Sequence, residues 1–387
     1  MGKYKGNYEV KDHQLSITLP KIWLRLIRDN KITQRGMYKK IWLFVLLTWP
    51  FQLIQRLLFN RKIRKVNLDE QPPLFILGHW RSGTTHLHYT MAKDPQFSYL
   101  SSYQAFLLNV VLLGRTWLKV ILSPLMPDTR PQDNIKMTVD APAEEEQPLT
   151  NISNYSGMHS FFFPKNISYH DKFNLFKGIR PFEKRRWQRH YTYLLKLISY
   201  ANGGEGQLLL KNPHNTSRVL ELLELFPNSK FIFIHRDPYS VFHSTCHLYH
   251  TMLRSQFMHD FTDEEIEERV LYNFETTMGK YLEERHLIPK NRLVEISYEE
   301  MEQAPMDTVE KIYQTIGLSG LEEARPHIAT YFESVAGYKK NRFPNLTDAQ
   351  IKAINERWDF AFKTWGYEKV GVDALPSTSK SWVETSN

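Results

Sequence analysis

LFILGHWRSGTTHL, residues 74–87, is the stretch on which the fold turns. Its first four residues are apolar without alternation, the mark of a short strand buried on both faces. Glycine follows at once. The spacing from Gly78 to Gly83, with Thr84 and Thr85 behind it, is that of a tight turn passing into a helix through His86, Leu87 and Met91. Backbone N–H groups in such a turn, together with the helix N-terminus, converge on the oxygens of a phosphate-like anion. Arg81 inside the turn adds a fixed positive charge and Ser82 a hydroxyl.

Three more brief apolar runs, residues 208–210, 231–234 and 293–296, are separated by helix-like stretches. That pattern predicts an α/β fold around a central parallel sheet of about four to five strands flanked by helices. Ligands of open α/β sheets bind outside the carboxyl ends of the strands. The residues following the runs are therefore the informative ones: Lys211-Asn212-Pro213-His214, His235-Arg236-Asp237-Pro238 and Ser297-Tyr298-Glu299-Glu300. The first loop departs from the nucleoside-triphosphatase P-loop, because Thr84 stands where that motif requires Lys. Asp237, ahead of Pro238, reads as a helix cap and not as a magnesium ligand. A phosphate-bearing donor bound without metal is expected, which argues against a P-loop kinase-like phosphotransferase.

The rest of the composition narrows the class. With 387 residues, 42% hydrophobic and 24% charged, the chain is neither disordered nor collagenous nor coiled coil. Its single cysteine, Cys246, excludes an intrachain disulfide and fits a cytoplasmic setting. His243, Cys246, His247 and His250 share one helix, whereas structural zinc sites join separate elements, so no metal is expected. The net charge of +8 resides in residues 34–66, which carry Arg35, Lys39, Lys40, Arg56, Arg61, Lys62, Arg64 and Lys65 and no acid. The same segment holds Trp42, Trp49 and many aliphatics, the mixture of an interfacial helix. Two readings stand: an N-terminal helix packed on the core, or one in peripheral contact with a membrane. The apolar run 41–51 is too short to span a bilayer. No basic stripe recurs elsewhere, so nucleic acid is not expected. The organisation read is a basic amphipathic segment at 1–70, a catalytic domain at 71–370 and a flexible tail at 371–387.

With the four strand ends in place, the chain resembles sulfotransferases that use 3′-phosphoadenosine 5′-phosphosulfate, PAPS, over roughly residues 72–368. It is nearer their broad bacterial-type group than the compact cytosolic one. Residues 75–87 resemble the family's 5′-phosphosulfate loop, which assigns Arg81, Ser82, Gly83, Thr84 and Thr85 to the donor. IHRDPYSVFHS, residues 234–244, resembles its 3′-phosphate element, with Arg236 and Ser244 at the family's spacing. Ser-Tyr-Glu-Glu-Met at 297–301 is similar to the stretch whose tyrosine lies near the adenine, which assigns Tyr298; His86 stands where cytosolic members place a tryptophan against that ring. YKKNR, residues 338–342, resembles the late basic loop over the donor and implicates Lys340 and Arg342. The resemblance implies a P-loop-like three-layer fold and PAPS as co-substrate.

Sulfuryl transfer, by analogy with phosphoryl transfer, is catalysed mainly by positioning and cations. Arg81 and Lys211 are the expected cations. For the base that takes the acceptor proton, His214 and a carboxylate of the run Asp140-Ala-Pro-Ala-Glu144-Glu145-Glu146 both stand, with Glu144 and Glu145 the carboxylate candidates. The bland alternatives are a histidine serving the helix that starts near Asn215, and a solvated acidic helix start. The apolar stretch 105–126, with Trp42, Trp49 and Phe161 to Phe163, reads either as walls of a greasy pocket or as core packing. It points to a steroid, sterol or lipid alcohol as acceptor, with a carbohydrate hydroxyl as the alternative. An inactive membrane-peripheral binding protein is disfavoured by the presence of Arg81, Lys211, Arg236 and Ser244 together.

Overall fold

The computed structural model describes residues 13–33, 35–114, 119–120, 138–337 and 345–371. Strands β1 (Leu74–Leu77), β2 (Phe97–Ser98), β3 (Gln207–Lys211), β4 (Lys230–His235) and β5 (Leu293–Ser297) form one parallel sheet in the order β2-β3-β1-β4-β5. β2 is the strand the sequence reading lacks, since two residues, Phe97 and Ser98, are too few to show a period.

The apolar runs hide an alternation that packing reveals. Phe75, Leu77, Leu208, Leu210, Phe231 and Phe233 face one apolar layer. Leu74, Ile76, Leu209, Ile232, Ile234 and Ile296 face the other, where Leu87, Met91, Val309 and Ile312 cover them. Successive side chains point to opposite faces, so a strand covered on both sides needs apolar residues at every position. Phe233 stacks on Tyr281 with ring centroids 3.8 Å apart, fastening the long helix Asp263–Glu284 to the sheet.

The strand order also sets the crevice. From β1 the chain turns toward β2 at one edge, and from β4 it turns toward β5 at the other. The loops after β1 and β4 therefore leave the sheet in opposite directions from adjacent strands, the topological switch point at which ligands bind.

The N-terminal segment packs into the larger core layer. Helix α1 (Pro20–Asp29) contributes Trp23 and Leu26, and helix α2 (Arg35–Arg64) contributes Ile41, Val45 and Ile63. α2 runs for 30 residues straight through Pro50. Pro50 lacks only the N–H that would donate to the carbonyl of Leu46, a residue on the exposed side. The short run 41–51 is thus part of a helix whose residues Gly36–Arg64 are, by length and composition, long and apolar enough to cross a bilayer. Two pocket expectations change. Trp49 lies on the exposed side of α2, 47% accessible, and lines no interior wall. Phe161, Phe162 and Phe163 are sealed in the core, Phe161 against Trp80 and Tyr249. Residues 115–118 and 121–137, 338–344 and 372–387 lie outside the described residues, and with them much of the apolar stretch 105–126, Lys340, Arg342 and nearly all of the tail.

Candidate active site

The loop after β1 is held in a conformation that glycine makes attainable. Gly78 (φ 146°) and Gly83 (φ 93°) have positive φ, and so does Arg81 (φ 69°). A Cβ on Gly78 would sit 2.5 Å from the carbonyl oxygen of Ile234, and one on Gly83 would collide with the Tyr298 ring. A left-handed arginine costs about 1–2 kcal/mol, a strain the surroundings must hold. Thr216 clamps the loop's start: its Oγ1 accepts from the Gly78 N–H at 2.8 Å and donates to the Gly78 carbonyl at 3.0 Å. Ser82 Oγ is buried with no partner among the described residues, an open hydroxyl inside the turn. Helix α3 (Thr84–Met91) starts directly behind Gly83, so its first N–H groups face the same turn.

One end of this loop meets the loop after β4. Arg81 Nε donates to Ser244 Oγ at 2.8 Å, Arg236 Nη1 donates to the Arg81 carbonyl at 3.2 Å, and the Arg236 guanidinium lies 4.2 Å from the centroid of the Tyr298 ring. Asp237 caps the helix Pro238–Thr251 by accepting from the Ser240 N–H at 2.8 Å, which projects Ser244 back toward Arg81. Arg81, Arg236, Ser244 and Tyr298, expected from three motifs, are gathered here. A buttress behind them was not foreseen. His235 stacks on Trp365 and contacts the Tyr367 hydroxyl at 2.8 Å, and that hydroxyl donates to Glu299 at 3.0 Å. Nothing in the sequence marks Tyr367, 69 positions after Tyr298, as a neighbour.

Lys211 holds the other end. Its Nζ lies 3.4 Å from Thr85 Oγ1 and 2.5 Å from Glu144 Oε1, with side chains 4% and 18% exposed for Lys211 and Glu144. An ammonium and a carboxylate thus stand together at the carboxyl end of β3, next to the start of α3.

The remaining candidates for base are placed elsewhere. His214 is buried, its Nδ1 3.1 Å from Asn174 Oδ1 and its ring edge-on to Trp80 at 4.7 Å and against Phe161. Burial lowers its pKa to about 3, against the opposing pull of Glu146. Such an imidazole stays neutral and binds a proton weakly. The helix expected near Asn215 is a 3₁₀ turn, Pro213–Ser217, with Asn212 as its cap. The acidic run is not a solvated helix start. Glu145 is buried and accepts from the Tyr191 hydroxyl at 2.8 Å and Asn215 at 2.7 Å, and burial pushes its pKa up to about 7. Glu146 forms a bidentate pair with the fully buried Arg218 at 2.6 and 2.9 Å, and also accepts from Ser156, the Gly157 N–H and Asn212. Burial opposes its charge, but the guanidinium overrides this and holds the carboxyl well below the usual range. Of the two carboxylates expected at the site, Glu144 reaches Lys211 and Glu145 is locked inside.

His86 is half-buried beside Tyr331, whose hydroxyl is 3.4 Å from its Nδ1, and beside Phe332. These two aromatics come from the helix Leu321–Val335 and carry no motif.

Residues 72–323 match the model of the sulfotransferase family. The chain belongs to that family. Among curated proteins it is similar to the omega-hydroxy-beta-dihydromenaquinone-9 sulfotransferase Stf3 of Mycobacterium tuberculosis and of Mycobacterium bovis. Each is 27% identical over 354 residues, covering 90% of this chain and 89% of the relative. Among solved structures, sulfotransferase STF1 from Mycobacterium tuberculosis has a TM-score of 0.64 at 20% identity, over 87% of this chain and 90% of that one. Sulfotransferase STF9 from Mycobacterium avium has a TM-score of 0.66 at 18% identity, over 91% and 97%. These structures share the P-loop-like three-layer fold. In this sulfotransferase the family implies a sulfonate donor as co-substrate, and the Gly78–Thr85 turn with its open Ser82 hydroxyl suits an anionic group.

Proposed function

We propose that this sulfotransferase moves a sulfuryl group from PAPS to the hydroxyl of a hydrophobic alcohol, a steroid, sterol or other lipid, and releases adenosine 3′,5′-bisphosphate. The observation that carries the reading is the Lys211–Glu144 pair against Thr85, at one end of a loop whose other end places Arg81 on Ser244 and Arg236. Arg236 and Ser244 hold the 3′-phosphate. The loop N–H groups with Ser82, Gly83, Thr84 and Thr85 hold the 5′-phosphosulfate, and Arg81 joins the two ends. Tyr298 and His86 flank the adenine, and the resemblance of residues 338–342 to the family's late basic loop assigns Lys340 and Arg342, which lie outside the described residues, to the donor as well.

In the transfer the acceptor oxygen bonds to sulfur as the bond from sulfur to the bridging phosphate oxygen breaks. Negative charge grows on that bridging oxygen, and Lys211 neutralises it, an effect worth about 3–4 kcal/mol for a well-placed donor. The acceptor proton passes to Glu144, which is the one carboxylate of Glu144, Glu145 and Glu146 that keeps solvent access. His214 supports this arrangement from behind Trp80 and does not meet the acceptor. The acceptor class rests on the Stf3 relative, whose name makes its acceptor an omega-hydroxylated dihydromenaquinone, and on the exposed apolar face of α2.

Titration calorimetry against adenosine 3′,5′-bisphosphate and against ADP, each with and without magnesium, tests the donor. Magnesium-independent binding of the bisphosphate alone is expected; binding of magnesium-ADP alone overturns the reading in favour of a kinase. Transfer of labelled sulfate from PAPS to sterols and hydroxylated quinones, compared with sugars, then tests the acceptor, and turnover confined to sugars overturns it.

A further inference from the structure

α2 is apolar on its outward face as well as its inward one, unlike a helix that faces water. Its inward stripe holds Ile41, Val45 and Ile63, but also Gln52 and Gln55, fully or almost fully buried. Its outward face carries Leu43, Leu47, Trp49, Phe51, Leu57 and Leu58, between 47% and 75% exposed. A water-facing helix buries the apolar stripe and exposes the polar one. A contiguous apolar surface of this extent on a soluble monomer marks a contact site.

The glutamines show how the helix is held. Gln52 Nε2 donates to the Ile17 carbonyl at 3.2 Å, and Gln55 donates to the Leu108 carbonyl at 2.9 Å while accepting from the Leu112 N–H at 2.7 Å. Tyr38 packs near Trp23 at one end, and Lys196 Nζ donates to the Arg64 carbonyl at 3.2 Å at the other. The helix is about 45 Å long and is pinned along its whole length. It can enter a bilayer only sideways, because spanning would tear away these contacts and carry Gln52 and Gln55 into hydrocarbon. No acid lies in residues 34–66, so Lys39, Lys40, Arg56, Arg61, Lys62 and Arg64 complement an anionic head-group layer.

We infer that α2 lies flat in the surface of an anionic bilayer, its outward apolar face in the acyl boundary and its cations among the head groups, docking the protein as a monotopic enzyme. α2 is linked to the Glu144 segment through one short helix. Gln55 holds Leu108, the residue after helix Ser102–Leu107, and Ser101 before that helix bridges to Pro142, two positions from Glu144. Docking would hold the enzyme at the surface where a lipid alcohol resides; that consequence rests on the acceptor reading above, whereas the docking does not.

The test is flotation of the full chain with phosphatidylcholine vesicles, with and without phosphatidylglycerol. Trp49 serves as a depth probe, read with brominated lipids as the quenching lost in Trp49→Phe. The protein is expected to float with the anionic vesicles in a salt-sensitive manner, quenched most by bromines near the head groups. Leu43→Ser, Leu47→Ser, Leu57→Ser and Leu58→Ser combined should reduce binding at least tenfold with an unchanged melting curve. Should that variant not fold, Arg61→Gln, Lys62→Gln and Arg64→Gln combined should still lower anionic binding severalfold. Failure of the unaltered chain to float overturns the proposal, as does full binding by both variants. Strongest quenching from the bilayer centre would show a spanning helix instead, since Trp49 is midway along α2. A dimer that the leucine variant converts to monomer, without flotation, would make the face a subunit interface. None of these outcomes depends on whether PAPS is the donor.

Discussion

Glu144 and Glu146 stand two positions apart; Glu144 meets a cation at the end of β3, and Glu146 one from the segment after it. The Lys211–Glu144 pair is monodentate, touches Thr85 and keeps partial access to solvent. The Glu146–Arg218 pair is bidentate, fully sealed and surrounded by Ser156, Gly157 and Asn212. Two charges taken out of water need every lone pair satisfied to be tolerable, and the second pair has this. The first pair has a lysine and a carboxylate with capacity left over, which is what a reacting group requires. One acidic triplet thus supplies a sealed strut and a partly accessible carboxylate beside Lys211, divided by burial alone.

Breaking the strut should have the largest effect. Arg218→Leu leaves Glu146 buried without its partner and should lose about 3–5 kcal/mol in denaturant unfolding; a loss below about 1 kcal/mol would mean that the pair is not sealed in solution. Lys211→Ala should next reduce kcat about 10²–10³-fold while bisphosphate affinity changes little. An equal loss in both would make Lys211 a binding group. Glu144→Gln should lower kcat about 10²-fold with affinity for the bisphosphate preserved. His214→Gln, in contrast, should affect stability more than turnover per folded molecule. The reverse pattern would return the base to His214.

Glu145, between the two pairs, sharpens the comparison through pH. Its folded pKa of about 7 is above the ordinary glutamate value of 4.5, so its protonated form favours the fold. That contribution is complete below about 4.5 and is lost as pH rises through about 7. Relative to Glu145→Gln, the unaltered protein should therefore weaken by on the order of 2 kcal/mol between pH 5 and 8. Thermal unfolding of both proteins across that range measures it, and parallel curves would place Glu145 in contact with water. Arg236→Ala should give the smallest change, about tenfold weaker bisphosphate binding with kcat at saturation nearly kept. Unchanged affinity would remove Arg236 from the donor site.

The strand ends were legible because their signals are local. A buried strand announces itself in four or five consecutive apolar residues, and Gly78, Gly83 and Pro238 mark turns whose backbone geometry few other residues can adopt. Arg236 and Ser244 belong to one strand-to-helix unit, so their convergence follows from spacing alone. β2 is too short to leave a pattern, and Tyr331 and Tyr367 reach the site from helices and turns that carry no motif.

Burial is a different kind of property. Three adjacent glutamates read alike in sequence, and His214 looks as available as Lys211; only the packing of Trp80, Phe161, Tyr191 and Arg218 around them separates sealed groups from accessible ones. The same holds for α2, where composition indicated an apolar and basic helix but not which stripe faces outward. Sequence by itself determined the parallel sheet, the loops at its carboxyl edge and the residue types gathered there, because those depend on neighbours a few positions apart. The tertiary structure alone decided which carboxylate meets Lys211, that His214 is sealed and which face of α2 lies open, because desolvation depends on atoms that are distant along the chain.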